Sequence, residues 1–178
     1  MILKKTFISG LIIVQPKVFF DDRGFFFESY NKKLFNLNTD FIQDNESESK
    51  KGVIRGLHFQ TPPFQQTKLV RCIKGSILDV AVDLRASSRT FGSHFSIELS
   101  CQNKKQLFIP KGFAHGFQVL SEKAIVSYKV DNFYNPSFES GLIWNDIDLK
   151  INWKKTLKTI VSKKDKDLQS FKFFKTPF

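Results

Sequence analysis

The sequence predicts an all-β chain folded as an antiparallel jelly-roll sandwich or barrel with short flanking helices, and three observations carry that prediction. Apolar and polar residues alternate with a period of two through several separate stretches, Gly, Pro, Ser or Asn stand at the joints, and the stretches recur every 8 to 12 residues. Before residue 150 no stretch of comparable length has a helical period. A length of 178 residues predicts one domain over 1–178, large enough for a packed core, with a short helical segment from about 155.

The N-terminal "MILKKTFISGLIIVQP" opens on basic residues, but its apolar stretch "GLIIV" stops at Gln15 and Pro16. That is too short for a secretory signal or a membrane span, so a cytoplasmic protein is expected. A short helix is expected near "NKKLFNL", and "NESESKKG" at 45–52 and "TPPFQQT" at 61–67 read as loops. Between those loops, "VIRGLHFQ" at 53–60 reads as a strand.

From Lys68, "KLVRCIKGSILDVAVDLR" gives two strands with a turn or bulge at Lys74 and Gly75. In the second, Leu78, Val80, Val82 and Leu84 face one way and Asp79, Ala81 and Asp83 the other. The same alternation runs through "HFSIELS" at 94–100, "KQLFIPKGFAHGFQVLS" at 105–121 and "AIVSYKV" at 124–130.

Composition narrows the function. The formal charge of +11 favours an anionic partner. The lysines fall in short scattered runs, as on a solvated surface, and no Arg/Lys stripe interleaved with stacking aromatics is evident, so neither nucleic acid nor membrane is the expected partner. Cys72 and Cys101 lie far apart with no CxxC, which indicates neither a zinc site nor a disulfide framework. The 21 Phe against 3 Tyr and 2 Trp must largely fill the core.

Four residues could carry chemistry together, although alone Lys68 and His115 read equally well as structural, and His58 and Tyr128 read better so. His58 shares a strand face with Gln60, while Arg55 nominally faces the other way unless Gly56 forms a bulge that re-aims both. Lys68 has the parity of Val70 and Cys72, His115 that of Phe113 and Phe117, and Tyr128 lies within apolar alternation. Two histidines, a lysine and a tyrosine projecting into a barrel make a general acid/base set in which the lysine holds a developing oxyanion. Neither "HFQ" nor "HGF" supplies a nearby second metal ligand, so a metal-free site is expected.

The pieces "DDRGFFFESY", "FIQDN", "GVIRGLHFQ", "KLVRC", "GFAHGF", "YKVDNFYNPSFESGLIWND" and "VSKKD", in this order over about residues 3–166, resemble the dTDP-4-dehydrorhamnose 3,5-epimerase family. The resemblance implies a cupin-type jelly roll, a homodimer working without metal or cofactor, and a dTDP-linked 4-keto-6-deoxyhexose substrate inverted at the two carbons beside its C4 ketone. By motif it implies His58 as general base, Asp165 as the carboxylate supporting it, Tyr128 as the acid on the opposite face, and Lys68 beside the ketone. It further implies substrate contacts at Arg55 and His115 and, in the nucleotide part, at Arg23, Phe26, Glu28, Gln43 and Asn45, part of which a partner subunit can supply. Glu139 and Lys164 match additional contacts, whereas Asp79 and Asp83 are candidates to support the pocket without a place in the site. Two departures stand out: Lys163 where the family commonly has an acidic residue, and the wording of "TPPFQQTK". A relative inverting one carbon and a catalytically silent sugar-nucleotide barrel are the alternatives; the second is disfavoured because His58, Lys68, Tyr128 and Asp165 are all present.

Overall fold

The computed structural model describes residues 1–35, 37 and 39–178. In chain order the first elements are β1 (Ile2–Lys5), β2 (Ile12–Gln15), β3 (Phe19–Asp21), β4 (Gly24–Phe26), the helical turn α1 (Lys32–Phe35), β5 (Gln43–Lys50) and β6 (Val53–Gln60). Then come β7 (Lys68–Lys74), β8 (Ser76–Asp83), β9 (His94–Ser100), β10 (Gln106–Ile109), β11 (Phe113–Val119) and β12 (Lys123–Val130). The chain closes with β13 (Glu139–Gly141), β14 (Ile160–Val161), the single turn α2 (Lys163–Lys166) and a 3-10 turn at Phe171–Phe173. The helix expected at "NKKLFNL" is α1; Asn36 within that stretch lies outside the described residues.

Two sheets form a jelly-roll sandwich. One runs β1-β2-β10-β7-β12-β5 and the other β13-β6-β11-β8-β9, with β14 parallel to the start of β6; β3 and β4 make a separate hairpin. Ile77, Ala81, Val70, Cys72, Leu107, Phe113 and Val126 pack between the sheets. The row of Leu78, Val80, Val82 and Leu84 turns outward instead, under a cover that includes Phe171, Phe174 and Phe178. Phe35, Tyr30 and Phe41 cover the outside of the other sheet near Leu69 and Phe108. Much of the second sheet is therefore apolar on both faces, which accounts for the near-complete burial of β8. The phenylalanines do not largely fill the core as expected: five of the 21, Phe35, Phe59, Phe108, Phe113 and Phe117, are buried and eight are exposed. None of the described helices is long and apolar enough to cross a membrane.

The expected loop at 45–52 is a correction: residues through Lys50 form β5, and only Lys51 and Gly52 make a turn. β5 does alternate, but between short polar residues facing in, Gln43, Asn45, Ser47 and Ser49, and charged residues facing out, Asp44, Glu46 and Glu48. It is an edge strand tied to β12 by Lys129–Asp44 at 2.8 Å and Lys123–Glu48 at 3.1 Å, and its outward charges deter edge-to-edge pairing. The loop at 61–67 is irregular, as expected.

Candidate active site

The site begins with a bulge in β6. On β11, His115 stands opposite His58 and Phe117 opposite Arg55, so Gly56 and Leu57 together face Gly116 alone. Strict alternation would send Arg55 and His58 to opposite faces; the extra residue brings both onto the inner side and sends Leu57, fully buried, outward. Only glycine fits there: Gly56 has φ +108°, and a Cβ would lie 2.6 Å from the His115 carbonyl oxygen and 2.7 Å from Gly116 Cα.

The bulge also anchors the carboxylate. β14 pairs with Val53 and Ile54 at the start of β6, Ser162 then caps α2 by accepting the Asp165 N–H at 3.0 Å, and Asp165 is carried under β6. Its Oδ2 accepts the Gly56 N–H at 3.2 Å and its Oδ1 lies 2.7 Å from His58 Nε2. Burial pushes the Asp165 carboxyl up, but the His58 bond and charge, the Gly56 N–H and Ser162 outweigh it and hold the group below the usual carboxylate value. A carboxylate can only accept, so His58 Nε2 carries the hydrogen and Nδ1 is left as the free nitrogen.

The opposite wall comes from the other sheet. Tyr128 on β12 is registered between Val70 on β7 and Asn45 on β5, and its neighbour Val130 between Lys68 and Gln43, so these side chains form one inner row. The Lys68 ammonium lies 5.9 Å from the centre of the Tyr128 ring. Burial lowers Lys68 to about 8 against the charges of Asp79 and Glu139. Burial raises Tyr128, with Arg55 acting against the rise, so the phenol keeps its proton at neutral pH.

Between the walls lies a cavity of about 440 Å³ lined by Arg55, His58, Lys68, His115, Tyr128 and Asp165 among others. A second hollow of about 360 Å³ shares His58, Lys68 and Tyr128 with it and runs on past Gln43, Asn45, Gln60, Gln66, Glu139 and Lys164. There Glu139 Oε2 accepts from Tyr134 Oη and from Lys164 Nζ, both at 2.5 Å. Burial raises Glu139, yet Lys164 and Tyr134, with a smaller contribution from His58, bring it below its ordinary value.

The structure thus brings together every predicted site residue except those before Gln43. Arg23, on the β3–β4 hairpin, pairs in solvent with Asp21 at 2.6 Å; Phe26 is 67% exposed; and Glu28 holds Asn31 at 2.7 Å. Sequence reasoning gave no role to Tyr134, Gln60, Gln66 or Ser47, which line the two hollows. It also left Asp79 aside, and the structure puts Asp79 under His115 at 2.8 Å. Asp83 instead sits away from the cavity, held by Arg85, Ser88 and Thr90. No cluster of three or more His, Cys, Asp or Glu at metal-ligand spacing occurs among the described residues.

The family model for dTDP-4-dehydrorhamnose 3,5-epimerase matches residues 5–172. The dTDP-4-dehydrorhamnose 3,5-epimerase of Shigella flexneri is 50% identical over 173 residues, covering 95% of this chain and 94% of that one. The crystal structure of dTDP-4-dehydrorhamnose 3,5-epimerase from Elizabethkingia anophelis superposes with a TM-score of 0.91 at 50% identity, covering 97% of each chain. That of dTDP-6-deoxy-D-glucose-3,5-epimerase from Legionella pneumophila, in complex with dTDP-4-keto-L-rhamnose, does so with a TM-score of 0.93 at 41% identity, covering 97% of this chain and 94% of that one.

Proposed function

This chain belongs to the dTDP-4-dehydrorhamnose 3,5-epimerase family, and from that premise we propose that it inverts dTDP-4-dehydro-6-deoxy-D-glucose at C3 and C5, giving dTDP-4-dehydro-L-rhamnose. The observation that carries the proposal is the His58–Asp165 pair and Tyr128 lining one cavity with the half-buried Lys68.

C3 and C5 flank the C4 ketone, so loss of a proton from either carbon gives an enolate with its charge on the ketone oxygen. His58 Nδ1 takes the proton, and Asp165 steadies the imidazolium that forms. Lys68 stabilises the enolate oxygen, without which a ketone's α-proton is far too weakly acidic for imidazole. Tyr128, on the other wall, delivers its phenolic proton to the opposite face of the carbon and so inverts it. His58 then gives its proton to solvent and Tyr128 regains one from it, which resets both groups, and the steps repeat at the second carbon. Arg55 offers a guanidinium fork to the diphosphate, His115 contacts the sugar, and Gln43 and Asn45 meet the nucleotide.

Arg23, Phe26 and Glu28 fit this reading if a second copy of the chain presents its exposed hairpin to the nucleotide end of the cavity, so a cytoplasmic homodimer is part of the proposal. The test is turnover in deuterated buffer. Label at both C3 and C5 is expected, label at one carbon would assign a single-carbon epimerase, and label at neither would overturn the reading.

A further inference from the structure

We propose that Asp79, which no step above uses, is a positioning residue of the site: it fixes His115 against the cavity and supplies the uncommitted negative charge against which the Lys68 ammonium is held. The inference rests on the epimerase reading and deepens it.

Asp79 is fully buried in β8, on the face that looks into the sandwich, and reaches the cavity only through His115. Its Oδ1 lies 2.8 Å from His115 Nε2, while its Oδ2 is buried with no hydrogen-bond partner among the described residues. A buried carboxylate oxygen left bare, on the strand face of Ile77 and Ala81 and in register with Ile97, is costly to the fold, and an apolar side chain would pack there more favourably. Such a charge points to work done at the site.

The other carboxylates around the cavity are committed. Asp165 has one oxygen on His58 and the other on the Gly56 N–H, and Glu139 is met by Lys164 and Tyr134. Lys68 is faced by Tyr128 from β12, His58 from β6 and His115 from β11, and the cations Arg55 and Lys164 line the same hollows. That setting favours the neutral amine. Of the charges opposing it, Asp79 acts most strongly, ahead of Glu139. Asp79 also acts on Cys72, which shares the Lys68 face of β7, as expected of a charge lying beneath that strand.

The variant is Asp79→Asn, which keeps the shape and removes the charge. Two measurements on the full chain keep this inference separable from the epimerase reading: the pH dependence of kcat/KM with dTDP-4-dehydro-6-deoxy-D-glucose, and the pH midpoint for acetylation of Lys68 by acetic anhydride, read by mass spectrometry. In Asp79→Asn both the alkaline limb and the acetylation midpoint should move to lower pH by about one unit, a tenfold change in proton affinity. An unchanged midpoint would overturn the inference even if turnover fell, because a merely structural loss does not retune Lys68. An inactive wild-type enzyme would instead overturn the epimerase reading. Should Asp79→Asn fail to fold, His115→Gln breaks the pair but keeps the charge. Its midpoint should not fall, and a downward shift would count against Asp79.

Discussion

His58 and His115 are direct cross-strand partners on β6 and β11, and each is bound through Nε2 to a buried carboxylate, His58 to Asp165 at 2.7 Å and His115 to Asp79 at 2.8 Å. The two pairs are not equivalent. His58 is partly open to the cavity, with a side chain 30% exposed, whereas His115 is 7% exposed. In the proposed reaction the more open imidazole, which shares the cavity with Tyr128, takes the proton from the sugar and the deeper one holds the sugar.

Replacing His58 with alanine removes the proposed base and leaves Gln43 and Asn45, the proposed nucleotide contacts, in place. His58→Ala should lower kcat by about 10²- to 10⁴-fold, the usual contribution of a positioned general base. Affinity for dTDP, measured by calorimetry, should be unchanged. Wild-type turnover in this variant would overturn the base assignment.

Tyr128→Phe separates the two halves of the reaction. His58 and Lys68 remain, so the α-protons should still wash out into deuterated buffer at an appreciable fraction of the normal rate, while the inverted product, followed by NMR, should nearly vanish. Equal loss of exchange and product would mean that Tyr128 acts before the enolate forms.

Gly56→Ala tests the bulge. The new methyl group would meet the His115 carbonyl at 2.6 Å in a backbone conformation that L side chains rarely adopt. A strain of this kind costs about 1–3 kcal/mol, read as a lower urea midpoint. Relief of the strain must re-aim Arg55 or His58, so residual activity should fall further than stability alone explains. Full activity in a stable variant would show that the bulge is dispensable.

The bulge was legible in the sequence because Arg55 and His58 have opposite parity and an isolated glycine stands between them. The strands from β6 to β12 were legible for the same kind of reason, an apolar row set against a polar one. β5 was not, because its two faces are polar and charged and neither is apolar. Asp79 is a candidate to support the pocket by sequence but has no place in the site there, because periodicity shows which residues share a face but not which face looks inward. The apolar row of β8 lies under the C-terminal phenylalanines, and the face bearing Asp79 looks into the sandwich. Arg23, Phe26 and Glu28 match by motif alone, and the second chain proposed to bring them to the site leaves no trace in one chain's contacts.

On the proposed mechanism Lys68 sets the alkaline side of the activity profile. The ammonium is the form that stabilises an enolate, and burial brings its pKa to about 8. kcat/KM should therefore hold through neutral pH and decline as pH rises through about 8. Lys68→Arg, whose guanidinium stays charged, should abolish that decline in whatever activity it retains. Persistence of the same limb in the arginine variant would assign it to another group.

Acid stability follows from two buried carboxylates with opposite duties. Asp165 serves the site, whereas Asp83 binds Arg85 Nε and Nη2, each at 2.8 Å, together with the Ser88 and Thr90 hydroxyls at 2.5 and 2.7 Å. Burial raises both groups, but their hydrogen bonds outweigh it, so in the folded chain both lie below the ordinary value of 3.8. A depressed folded pKa means that the unfolded chain takes up protons first. The stabilisation is complete above about pH 4 and is lost as pH falls through 3.8 toward the folded values. Urea midpoints should therefore be insensitive to these two groups between pH 5 and 7 and drop steeply below about pH 4. Asp83→Asn should be less stable at neutral pH, since Arg85 loses its counter-charge, and its midpoint should fall less steeply in acid because one of the two linked protons is gone. An acid slope as steep as wild type would show that Asp83 is not among the groups that set it.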